Sequence, residues 1–160
     1  PTRVQKLDDG DYDALILATA GLVRLGMGER ISARLDPGPF TPAPAQGTVG
    51  IQIREGDDAT GRWIRALDHG ATRRAIAAER RLLQVVEGGC QVPVGALARE
   101  AGDVLTLVGR VCSLDGSRVV EGERTGSTSD PVALGEALAH DLLDRGAGDI
   151  LDEIRGSVGS

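Results

Sequence analysis

Residues 103–113 alternate well enough for a strand, and Leu114-Asp115-Gly116-Ser117 then turns the chain so that residues 118–124 return. An Asp-Gly pair between such runs is a strong hairpin signal, because the tight turn needs backbone that glycine adopts without strain. Val92 to Leu97 reads as a further strand start, giving a three-stranded antiparallel sheet. So small a sheet needs a covering layer, and helical patterns flank it on both sides. Ala71–Val86 sets Ile76, Leu82, Leu83 and Val86 in one stripe, filled in by Ala75 and Ala78. Asp130-Pro131 reads as an N-cap with Pro in the first helical position. Leu134, Leu138 and Leu142 then share a face, and Arg145-Gly146 closes that helix. A short helix over Asp149–Arg155 follows. This half is expected to be an α+β domain, with helices on one face of the sheet.

The first half is patterned differently. Ala14-Leu15-Ile16-Leu17-Ala18 is a continuous apolar run, suited to a strand buried on both faces of a helix-covered sheet. A turn at Asp9-Gly10-Asp11 precedes it, and residues 19–26 follow as a tight turn into a short helix. Glu29–Leu35 reads as a short amphipathic helix. Four of the seven prolines fall within 36–44, marking the best candidate linker. In Thr48–Arg54, apolar Val49, Ile51 and Ile53 have the period of a half-buried strand. Asp58 or Thr60 caps a helix through Leu67, on which Trp63 reads as a packing residue. Arg73, Arg74, Glu79, Arg80 and Arg81 read as a solvated helix face with i,i+4 pairs. The first half has too few strands to close a parallel sheet, which predicts partner structure from upstream or from another subunit. The chain also opens at Pro1 without Met, close to an expected strand, as part of a longer polypeptide would.

Composition narrows the function. The chain is 41% hydrophobic but has one Phe, one Tyr and one Trp, so its core must be aliphatic. Two cysteines and two histidines are too few for a metal cluster or a disulfide framework, although a Cys90–Cys112 pair stays open. A net charge of −6 argues against nucleic-acid or membrane-surface partners. It is compatible with a local arginine pocket for a small anion. No apolar run reaches membrane-spanning length and no signal-peptide pattern is present, so a cytoplasmic location is expected.

Chemistry concentrates in Glu87-Gly88-Gly89-Cys90-Gln91-Val92-Pro93-Val94-Gly95. The paired glycines stop the preceding helix and put Cys90 on a loop. The thiol then reads either as a small buried hydrophobe or as a nucleophile with room for a bulky group on sulfur. Arg24, after the expected buried strand, reads either as an anion ligand at that strand's carboxyl end or as a solvated charge.

Three stretches carry a family resemblance: residues 12–26 (YDALILATAGLVRLG), 42–51 (PAPAQGTVGI) and 87–95 (EGGCQVPVG). In this order and at these separations they resemble the porphobilinogen deaminase (hydroxymethylbilane synthase) family. The resemblance implies condensation of four porphobilinogens with release of ammonia, on a dipyrromethane primer held by a thioether to Cys90. It also implies carboxylate binding by Arg3 and Arg24 and a cleft role for Gln46 with Gly47. No metal is implied, and the partners are porphobilinogen, the growing pyrrole chain and the N-terminal part of the enzyme. The family's catalytic aspartate belongs to an N-terminal domain that these residues do not include, so no catalytic residue is assigned here. The implied organisation is a partial α/β, periplasmic-binding-protein-like domain over 1–45, a return strand of the first domain over 46–68, and the α+β cofactor-attachment domain over 69–160. The family has Gly where this chain has Ala45, and a positive φ there would strain the loop. A non-catalytic tetrapyrrole-binding or interaction module derived from the same fold is the alternative.

Overall fold

The computed structural model describes residues 2–86 and 92–158. The chain divides into two compact units, Pro1–Asp36 and Pro37–Ser160, with the boundary in the proline-rich stretch.

In the second unit, β1 (Val94–Ala101), β2 (Val104–Cys112) and β3 (Val119–Ser127) form an antiparallel sheet in the order β1-β2-β3. Register is set by Leu97 opposite Val108 and Val108 opposite Glu123. The Asp-Gly turn closes as expected, with Gly116 at φ +72°. Asp115 there accepts hydrogen bonds from the Ser113 and Ser117 hydroxyls and the Ser117 N–H. These bonds, the Ser113 hydroxyl's foremost, hold its carboxyl down at about 2.

Helices α4 (Gly70–Val85), α5 (Pro131–Leu142) and α6 (Gly148–Val158) enclose the core with the sheet. His69 caps α4 by accepting from Thr72 N–H, and Asp130 caps α5 by accepting from Ala133 N–H. Leu82, Leu105, Leu107, Leu138, Leu142 and Leu151 are buried, forming the aliphatic core that the composition demands. Two glycines permit close approach. A Cβ at Gly135 would lie 2.3 Å from Ala78 O, and one at Gly109 would lie 2.7 Å from Leu82 Cδ1. Gly146, at φ +94°, breaks the helix path between α5 and α6 where the Arg-Gly signal placed its end.

The first half departs from expectation. Residues 14–18 form no strand, and Ile16 is 76% exposed. Residues 48–54 are likewise irregular, with Val49 85% exposed. A strand fills its backbone hydrogen bonds only against a neighbour, and among the described residues neither stretch has one. The amphipathic helix expected over Glu29–Leu35 is reduced to a single 3₁₀ turn, Gly28–Arg30. The chain opens instead with α1 (Thr2–Asp8) and α2 (Thr19–Arg24). Helix α3 (Asp58–Ile64) is capped by Asp57, which accepts from Thr60 N–H. Trp63 on α3 is 80% exposed, so it does not pack into a core.

Candidate functional site

The segment leading to Gln46 is held along the free edge of β1. Pro42 O accepts Ala96 N–H at 2.9 Å, and Arg110 Nη1 donates to Pro39 O at 2.5 Å. A Cβ at Gly95 would lie 3.0 Å from Thr41 O, so glycine there allows the segment to approach the sheet. The chain then turns at Ala43, with Gln46 N–H donating to Ala43 O at 2.9 Å. Ala45 has φ +62° and Gly47 φ +80°, so two left-handed residues flank Gln46. Gln46 and Gly47 are exposed, and the Gly47 N–H makes no hydrogen bond among the described residues. Glycine adopts this backbone freely, whereas Ala45 carries the strain that its replacement of glycine implied.

Opposing that strain is Glu79, on the buried side of α4 and 6% exposed. Its Oε2 accepts the Ala45 N–H at 2.6 Å, and its Oε1 accepts the Ala98 N–H of the β1 edge at 2.8 Å. Read from its charge and its arginine neighbours, Glu79 belongs on a solvated face, and the structure buries it instead. A signal for burial was present: it lies four residues after Ala75 and three before Leu82, within the apolar stripe. The arginines of α4 also depart from that reading, since Arg74 and Arg81 pair with other elements. Arg74 forks onto Glu100 of β1 at 2.7 and 2.6 Å, and Arg81 reaches Glu136 of α5 at 2.8 Å. The Arg74 hydrogen bonds hold the Glu100 carboxyl below its usual range.

Arg3 lies in α1 and Arg24 ends α2, and both are exposed. No strand precedes α2, so the argument from a strand's carboxyl end does not support Arg24. In this unit the paired arginine is Arg30, whose bond to Asp8 holds that carboxyl below its ordinary value. Arg3 and Arg24 have no carboxylate partner among the described residues. Gln46 and Gly47 are adjacent within the second unit, and Cys90 lies outside the described residues. Cys112, at the end of β2, is half-buried and has no disulfide partner among the described residues. Two open depressions, one beside α1 and one beside the Asp115 turn, include none of Arg3, Arg24, Gln46 or Gly47. No helix among the described residues is long and apolar enough to cross a membrane. Among those residues, no three His, Cys, Asp or Glu side chains gather as a metal site.

Two family models match the chain in tandem. Residues 1–62 match "Porphobilinogen deaminase, dipyromethane cofactor binding domain", and residues 73–144 match "Porphobilinogen deaminase, C-terminal domain". The chain is 52% identical over 145 residues to a porphobilinogen deaminase of Roseiflexus castenholzii (strain DSM 13941 / HLO8), covering 91% of this chain and 48% of that protein. It is 48% identical over 154 residues to one of Desulforudis audaxviator (strain MP104C), covering 96% of this chain and 50% of that protein. The chain thus spans about half the length of these curated relatives.

Proposed function

Because the chain belongs to the porphobilinogen deaminase family, we propose that it is the C-terminal portion of a hydroxymethylbilane synthase. That transferase of heme biosynthesis condenses four porphobilinogens head to tail with loss of ammonia. The supporting observation is the tandem match, with Gln46-Gly47 inside the first matched stretch and Cys90 inside the second.

In this reading Cys90 is the thioether anchor of dipyrromethane. A thiolate is the soft nucleophile suited to an electron-poor pyrrole methylene, and the two residues before Cys90 in the sequence are glycines, which carry no side chain. Once bound, dipyrromethane supplies the pyrrole carbon from which the tetrapyrrole grows. The remaining residues bind and orient. Pyrrole acetates and propionates need donors that no protein carboxylate already occupies. Arg3 and Arg24 meet that condition among the described residues, and a guanidinium fork matches a carboxylate bidentately at any working pH. The exposed Gln46 amide and the open Gly47 N–H add neutral donors. Proton transfer belongs, on this proposal, to the half of the relatives' length that this chain does not span.

We assign 1–45 to the latter part of a periplasmic-binding-protein-like α/β domain, 46–68 to a strand returning to the first such domain, and 69–160 to the attachment domain. The apolar faces left open at Ile16, Val49 and Ile51 support this division. A cytoplasmic location belongs to the same proposal. The test is intact mass spectrometry of the active parent protein. A mass excess of two linked pyrroles, removed by Cys90→Ser, is expected; an unmodified active parent would overturn the assignment. Absence of turnover with any well-folded N-terminal partner would favour the non-catalytic module.

A further inference from the structure

We propose that Glu79 is a positioning residue, a buried clasp that fixes the backbone of the Gln46-Gly47 loop and so aims Gln46 outward. A carboxylate on the core side of a helix loses its water and needs donors in exchange. In Glu79 the two donors come from different elements. One oxygen takes Ala98 N–H, an edge donor of β1 that no strand pairs, and the other takes Ala45 N–H. The helix, the sheet edge and the loop are therefore joined through one carboxyl group.

The loop end of this clasp is where help is needed. Ala45 is the one non-glycine at positive φ among the described residues. Hydrogen bonds from backbone N–H to an ionised carboxylate are stronger than neutral ones and can offset that strain. The short turns around Ala45 leave the Gln46 side chain and the Gly47 N–H at the surface. Glu79 does not contact what those donors bind; it acts through Ala45. A glutamine in its place retains one acceptor oxygen and brings a donor NH₂ to face one of the two N–H groups. The clasp is independent of the enzyme reading, which is used only for what the loop binds.

Amide hydrogen exchange by NMR tests it in the 160-residue chain. The parent should show slowed exchange at Ala45 and Ala98. Glu79→Gln should speed the N–H left facing the NH₂ by about tenfold and the other by less, while the Leu105 and Leu107 amides keep their protection. Adding Ala45→Gly to Glu79→Gln should return the Gln46 resonance to its parental position, because glycine holds the left-handed turn without the carboxylate. Free-peptide exchange at Ala45 in the parent would overturn the proposal, even if the variant failed to fold. A uniform loss of protection through β2 would overturn it too, reducing Glu79 to a core residue.

In the enzyme completed by its N-terminal portion, Glu79→Gln should raise KM for porphobilinogen about tenfold at nearly constant kcat, and Ala45→Gly should reverse this. Loss of Ala45 protection without a change in KM would uphold the clasp and remove Gln46 from the substrate cleft.

Discussion

Residues 49–53 and residues 104–112 carry apolar positions at the same period of two, yet only the second stretch is a strand. Leu105, Leu107 and Val111 are buried between β1, β3 and the helices, whereas Val49 and Ile51 stand in solvent. The difference lies in what lies beside each stretch. Residues 104–112 have strand partners on both edges and helices over one face. Residues 49–53 have no strand partner among the described residues, and Ile53 lies beside a helix, at Gly61 of α3. Period two specifies which side of a strand is apolar, and pairing decides whether a strand exists.

Truncation is the strongest way to break this contrast. Leu107→Ala should destabilise the second unit by about 2–5 kcal/mol, whereas Ile51→Ala should change stability by less than about 0.5 kcal/mol. Urea unfolding measures both, and equal effects would show that 49–53 is already packed. Next is Gly135→Ala. Its Cβ would meet the Ala78 carbonyl, so α4 and α5 must separate, at about 1–3 kcal/mol read from the same curves.

Ala45→Gly should act in the opposite direction. Relief of left-handed strain exceeds the extra freedom of the unfolded chain, giving about 0.5–1 kcal/mol of stabilisation. A loss of stability would show that Ala45 is not strained.

The mildest test is acid. Asp115 has its folded carboxyl at about 2, below its ordinary 3.8, so it contributes stability above 3.8. That contribution fades as pH falls through about 2. The stability difference between the parent and Asp115→Asn should therefore shrink over the window from about pH 5 to about pH 2. A constant difference would mean that the turn's hydrogen bonds do not depend on the charge.

What could be read from the sequence follows the same contrast. The hairpin was legible because its turn residues and alternation are local to one another. The α5 cap was legible because Asp130 and Pro131 are adjacent, and the core leucines because their spacing repeats along one helix. Residues 14–18 and 49–53 read as strands because their apolar pattern carries no information about neighbours. The arginines of α4 were misread for a related reason: Glu100 and Glu136 are 26 and 55 residues away from Arg74 and Arg81. Glu79 reads as a solvated charge although its place in the apolar stripe carries a signal for burial, and only the fold supplies Ala45 and Ala98 as donors. At the candidate site, the positive φ of Ala45 came from comparing one residue with a family pattern. The company that Cys90 keeps lies outside the described residues.

In the proposed function, the open apolar stretches of the first half are interfaces for the N-terminal portion of the enzyme. Hydrogen exchange at residues 14–18 and 49–53, measured before and after adding the N-terminal portion of the enzyme, tests it directly. Fast exchange is expected in the isolated chain, and at least about hundredfold slowing in the complex, as both stretches enter a sheet. Exchange that stays fast in a complex with restored turnover would contradict it.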